Sequence, residues 1–181
     1  MKKGFGVLKR LSSKTLVIVS GITTLLMFVI IMFIVDPLID GKNGLGVISL
    51  QLAFDKAAGV QIVNGWGEGG VLNFKKYIFA DYLYALSYAL FFASLLSLLI
   101  FRAKQERHIR YVWVVCLALV AGVCDWIENT MEICFVNDMA AFSDGVFYIH
   151  SIIAVLKWMA LPVVIVYIIA LLNKSGQNRA V

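Results

Sequence analysis

Residues 111–136 read YVWVVCLALVAGVCDWIENTMEICFV. The stretch is apolar and long enough to cross a bilayer, yet it carries Asp125, Glu128, Asn129 and Glu132. A helical span needs about 20 predominantly apolar residues, at about 1.5 Å of rise each. Ionisable side chains inside such a span are costly, and they mark either chemistry or assembly. Outward from this stretch, three more apolar runs of sufficient length occur at 15–35, 77–101 and 147–172. The chain is 61% hydrophobic and 15% charged, whereas soluble domains run near 45–50% apolar and about 25% charged. These features predict an all-α integral membrane protein. Its expected form is a single four-transmembrane-helix bundle over residues 1–181, with a long structured first outer loop at 36–76.

Charge placement gives the orientation. Lys2, Lys3, Lys9, Arg10 and Lys14 precede the first run, and Arg102, Lys104, Arg107 and Arg110 separate the second from the third. Lys174 and Arg179 follow the fourth. In the 36–76 loop, Lys42, Lys56, Lys75 and Lys76 are balanced by Asp36, Asp40, Asp55 and Glu68, and the 137–146 loop has Asp138 and Asp144 with no basic residue. The positive-inside rule therefore places both termini in the cytoplasm. These basic residues suit orientation and contact with anionic lipid, so membrane lipids are the expected partners and nucleic acid is not. A membrane-protein partner or a homo-oligomer is also compatible. The run Thr15 to Val35 exceeds the 7–15 residues of a signal peptide's central region and reads as a retained span. The cysteines Cys116, Cys124 and Cys134 all fall in the third run, show no Cys-x-x-Cys spacing, and read as small apolar residues.

In the first outer loop, Ile48, Leu50, Leu52 and Phe54 alternate with Ser49, Gln51 and Ala53, the period of a half-buried strand or of an extended segment. Asp55 can cap a short helix from Lys56 to about Val63, which the glycine-rich stretch 65–70 would end. Trp66 and Tyr77 suit the outer membrane interface.

At about 100° per residue, Asp125, Asn129 and Glu132 share one face of the third helix with Glu128 beside them, and Ala118, Ala121 and Gly122 continue it. Small residues allow close helix approach, so this face should point inward, with Cys116 and Cys134 opposite. Asp81, Tyr84, Ala85 and Tyr88 form a stripe on the second helix, and His150, Ala154, Lys157 and Leu161 one on the fourth. Lys157 lies roughly 15 Å from the outer end of its helix, too deep to snorkel. A carboxylate partner is expected, Asp125 first and Asp81 second. Asp125, Glu128 and Glu132 crowd one another and should titrate as a coupled set. Glu132, nearer the outer end, reads as solvated, and His150 as interfacial or as a ligand. No metal and no cofactor is expected: di-iron four-helix bundles use Glu-x-x-His repeats, and the residue three after Glu128 is Met131.

Two stretches carry a resemblance. Leu50-Gln51-Leu52-Ala53-Phe54, then Gly65-Trp66-Gly67, lead into Asp81-Tyr82-Leu83-Tyr84 and Tyr88. The second is Gly122-Val123-Cys124-Asp125-Trp126-Ile127-Glu128-Asn129. Over roughly residues 48–130 the chain resembles a set of uncharacterised bacterial four-span integral membrane proteins. The resemblance implies a four-helix fold with these polar positions central, in the inner membrane of a bacterium, and brings no activity with it. Lys157 and His150 lie outside the shared pattern.

The function expected from these features is that of a non-enzymatic membrane protein. A polar cavity in its outer half would bind a small lipid or amphiphile, or dock a partner. The ligand-binding candidates are Asp81, Tyr84, Tyr88, Asp125, Glu128, Asn129, His150 and Lys157. The alternative is a membrane enzyme using Asp125 or Glu128 as acid/base and Lys157 as charge stabiliser on a lipid-like substrate. A proton-coupled transporter subunit is a second alternative, which four spans without repeats favour less.

Overall fold

Each apolar run becomes a helix because hydrogen bonding within the segment satisfies the backbone where no water can. In the computed structural model, residues 2–39, 44–104 and 109–177 are described. Of the charges used above, Asp40, Lys42, Arg107 and Arg179 lie outside them. Six α-helices follow in order: α1 Lys2–Leu11, α2 Lys14–Ile30, α3 Val47–Gln51, α4 Lys56–Arg102, α5 Ile109–Asn137 and α6 Asp144–Gln177. No strand occurs among the described residues. Four helices are long and apolar enough to span a membrane: Lys14–Leu38, Lys56–Arg102, Tyr111–Asn137 and Asp144–Ser175. The chain is thus an all-helical protein of multi-pass membrane type. The first of these unwinds through a π-turn at Ile31–Val35 and a short 3-10 turn at Asp36–Leu38, where Pro37 lacks the N–H a further turn would need.

The first outer loop departs from expectation in three ways. The alternating segment is neither strand nor extended: Val47–Gln51 is a helical turn that buries Val47, Leu50 and Gln51 and exposes Ile48. Spacings of three and four residues, not two, decide its buried side. Asp55 does cap the next helix, its carboxylate accepting from the Ala57 and Ala58 amides. That helix does break within the glycines, at Gly67 (φ 64°, ψ −179°), a conformation open essentially to glycine alone. A second helical segment starts directly after the kink, however, well inside the expected loop, and runs on to Arg102. Trp66 and Tyr77 are packed inside the protein, not set at a lipid interface. Trp66 donates its indole N–H to the Leu45 carbonyl at 2.6 Å, and Phe74 lies against both rings.

The chain forms two compact units. The first comprises Met1–Thr24, Leu86–Gly122 and Trp158–Val181. Its core is apolar, with Leu8, Leu96, Leu99, Ile100, Val115, Ala118, Val164 and Leu171 buried together. Lys174 donates to the Tyr111 hydroxyl at its margin (3.2 Å). The second comprises Leu25–Ala85 and Val123–Lys157. Its apolar core joins Ile39, Leu50, Trp66, Phe74, Ile78, Phe135 and Phe147. Gly59 allows the tightest approach there, since a Cβ at that position would sit 2.4 Å from the Phe147 ring. Ser151, wholly buried, accepts the Phe54 amide at 3.1 Å, holding a residue with φ 55° in place. On the outward side of this unit Tyr82 and Trp126 meet edge to face, the indole donating to the Tyr82 carbonyl (2.9 Å).

Candidate functional site

The second unit contains the ionisable cluster. Periodicity puts Asp125, Glu128, Asn129 and Glu132 on one face of α5, and all four are buried. Cys116 and Cys134, on the other side, are exposed. From α6, Lys157 reaches this face: its Nζ donates to Asp125 Oδ1 at 2.9 Å and makes an ion-pair contact with Glu128 Oε2 at 2.7 Å. From α4, Asp81 is also buried but does not supply the lysine's second carboxylate. Its Oδ2 instead accepts from the Asn129 amide at 2.9 Å.

His150, two turns before Lys157 on α6, lies beside Glu132, with Nε2 3.3 Å from Oε1. Both are buried, at 2% and 1% exposure, so Glu132 is not solvated and His150 is not interfacial. The reason lies in packing. Phe147 and Phe135 stack edge to face at 4.8 Å, and Phe147 lies 5.4 Å from the imidazole. This aromatic layer closes over the carboxylate, which helix depth alone would have left wet. Glu132 is the member of the cluster absent from the sequence-derived candidates. Its i, i+4 spacing from Glu128 was the signal that could have found it.

The two tyrosines separate. Tyr84 is half-buried in the second unit, its ring 6.4 Å from that of Phe28. Tyr88 belongs to the first unit, where its hydroxyl donates to the Ala121 carbonyl at 3.1 Å.

The cluster is not fully satisfied. Glu128 Oε1, Asn129 Oδ1, Glu132 Oε2 and His150 Nδ1 are buried and find no hydrogen-bond partner among the described residues. Each such group costs about 1–3 kcal/mol relative to a paired one, a burden rarely kept without use. Glu132 and His150 also face a narrow recess walled by Leu50, Met131, Phe135, Phe142 and Phe147. As it stands the recess is closed, with essentially no room even for a water molecule, far below the 300–1,000 Å³ of ordinary small-molecule sites.

No family model, no curated protein and no solved structure matches this chain. Function therefore has to be argued from the geometry itself.

Two chemistries are available to this arrangement. Lys157, held between Asp125 and Glu128, is an interhelical clamp that fixes α6 against α5 and orients both carboxylates. Glu132 with His150 is a carboxylate–imidazole pair lining an apolar recess, able to accept, donate or exchange a proton with a polar group placed there.

Proposed function

We propose that this protein is a multi-pass protein of a bacterial inner membrane, with both termini cytoplasmic, which binds the polar end of a small lipid or amphiphile in its outer half. One observation carries the reading: the residues around the recess are five apolar or aromatic ones together with two buried polar ones, Glu132 and His150. An amphiphile has that same division. No water-sized space is open between these side chains, so a head group or a chain end enters only if the walls move apart, Phe142 on the connection between α5 and α6 among them. Asp125, Glu128 and Lys157 adjoin the two polar residues, and Asp81 with Asn129 extends the cluster. Docking of a membrane-protein partner or of a second copy of the chain would use the same outer face.

The test is mass spectrometry of small molecules retained by protein purified in native lipid. A reproducible amphiphile, lost on Glu132→Gln and on Phe142→Trp, supports the reading. Retention no different from bulk lipid in wild type refutes it.

A second reading is favoured by the Glu132–His150 contact, a buried acid–base pair facing the recess. In an enzyme acting on a lipid-like substrate, this pair would exchange the proton while Asp125, Glu128 and Lys157 stabilise charge. Conversion of the retained molecule, abolished by Glu132→Gln with binding intact, would select this reading.

A further inference from the structure

Three donors from two helices converge beside the recess, two of them, Glu132 and His150, among its lining residues. Glu128 and Glu132 are one helical turn apart on α5, and His150 approaches from α6. One donor atom from each lies within 4.8 Å of the others, and all three residues are buried. We propose that Glu128, Glu132 and His150 form a binding site for a first-row divalent cation such as Zn²⁺. The inference deepens the amphiphile-binding reading, because it names what a head group would meet.

Four observations converge. First, Glu128 Oε1, Glu132 Oε2 and His150 Nδ1 are buried without a partner, so every member of the triad keeps unused donor capacity besides the His150 Nε2 and Glu132 Oε1 atoms that face one another. Carboxylate and imidazole donors of this kind suit zinc, manganese and ferrous iron. Second, His150 Nε2 and Glu132 Oε1 stand 3.3 Å apart, long for a hydrogen bond. It is close to the edge of a coordination tetrahedron, roughly 3.4 Å for metal–ligand bonds near 2.1 Å. The other donor separations in the triad also stay within 4.8 Å, at most about 1.4 Å beyond that edge.

Third, the charges fit. In their ionised forms Asp81, Asp125, Glu128 and Glu132 carry four negative charges against one on Lys157, and the neutral Asn129 amide holds Asp81 without cancelling its charge. A divalent cation offsets two of the three left over. Lys157, 2.7 Å from Glu128 Oε2, then acts as the positioning residue that leaves Oε1 for the metal, the role of outer groups in metal sites. Fourth, the site lies close to helix ends. Glu132 is five residues from the end of α5 at Asn137, and His150 six from the start of α6 at Asp144. Both are therefore within about 8–9 Å of a helix end. No single-helix motif announces the site, because the histidine comes from a second helix.

The experiment uses the full chain in lipid nanodiscs, stripped with a chelator and titrated with Zn²⁺ against a chromophoric competitor, with elemental analysis for stoichiometry. One zinc per chain is expected. Glu132→Gln and His150→Gln, both close in size to the native side chains, should each raise Kd more than about 100-fold. Exposed Glu68→Gln should leave it unchanged. Co²⁺ in place of Zn²⁺ should give visible d–d absorption in wild type that both variants lose, a readout independent of any activity. Wild-type protein that takes up no stoichiometric zinc overturns the proposal, as does wild-type affinity in both variants. Retained amphiphile without zinc uptake overturns the metal site alone. Zinc uptake without retained amphiphile supports the metal site and removes the amphiphile reading.

Discussion

Replacing Lys157 by methionine keeps most of the side chain's volume and removes the ammonium from between Asp125 and Glu128. The ammonium lies 2.9 Å from one carboxylate and 2.7 Å from the other, and the three side chains are 5%, 4% and 0% exposed. Water cannot take over its role. Removing one partner of a buried ion pair costs about 3–5 kcal/mol, well above the 0–1 kcal/mol of a surface pair. At about 1.4 kcal/mol per tenfold, the folding equilibrium should fall by a factor of roughly 100 to 4,000. The assay is reversible unfolding in mixed micelles, followed by circular dichroism. A loss below about 0.5 kcal/mol, the range of an ordinary surface substitution, would refute the clamp. The triple variant Lys157→Met, Asp125→Leu, Glu128→Met separates stability from function. Apolar replacement of a whole buried ionic group is often neutral or stabilising by about 1–4 kcal/mol. The triple variant should therefore recover the stability lost by the single one while losing zinc and amphiphile. If it recovers stability and keeps both ligands, the charges serve assembly alone.

Three further outcomes follow from the packing of the second unit. Gly59→Ala places a methyl group 2.4 Å from the Phe147 ring and should destabilise by about 1–3 kcal/mol, with part recovered by Phe147→Leu in the same chain; thermal unfolding reads both. Gly67→Ala forces a side chain into a glycine conformation, at about 1–3 kcal/mol. Gly69→Ala, which meets nothing within 4 Å, should be neutral or stabilise by up to about 1 kcal/mol. Ser151→Ala removes the partner of the part-buried Phe54 amide at about 0.5–1.5 kcal/mol, and hydrogen exchange should rise across residues 44–55 with little change in α5.

The inward face of α5 was legible because a 100° period and a row of small residues leave one choice of direction. The approach of Lys157 to Asp125 was legible because a buried ammonium needs a carboxylate and the depths matched. The share taken by Glu128, and the pairing of Glu132 with His150, were not. They depend on how α6 is rotated against α5, which the Phe135–Phe147 contact sets and no single-helix period encodes. Asp81, the second choice for the lysine because its depth also matched, is held by the Asn129 amide instead. The extent of α4 was misjudged by treating a run of glycines as a final stop. The stop is real and falls at Gly67, but helical hydrogen bonding resumes directly after it, which the glycine count alone does not reveal. The alternation at 48–54 misled because Val47 and Leu50, three apart, fit a helical turn equally well.

The outward placement of Cys116 and Cys134 gives α5 a native depth gauge. Eighteen residues separate the two thiols in the chain, so they stand about 27 Å apart along the axis, close to the thickness of the hydrocarbon layer. With half-exposed Cys124 replaced by alanine, spin labels at the two positions could be read against oxygen and nickel relaxation agents. Such a measurement would fix the helix in its bilayer and reveal how many ångströms of lipid any incoming cation must skirt.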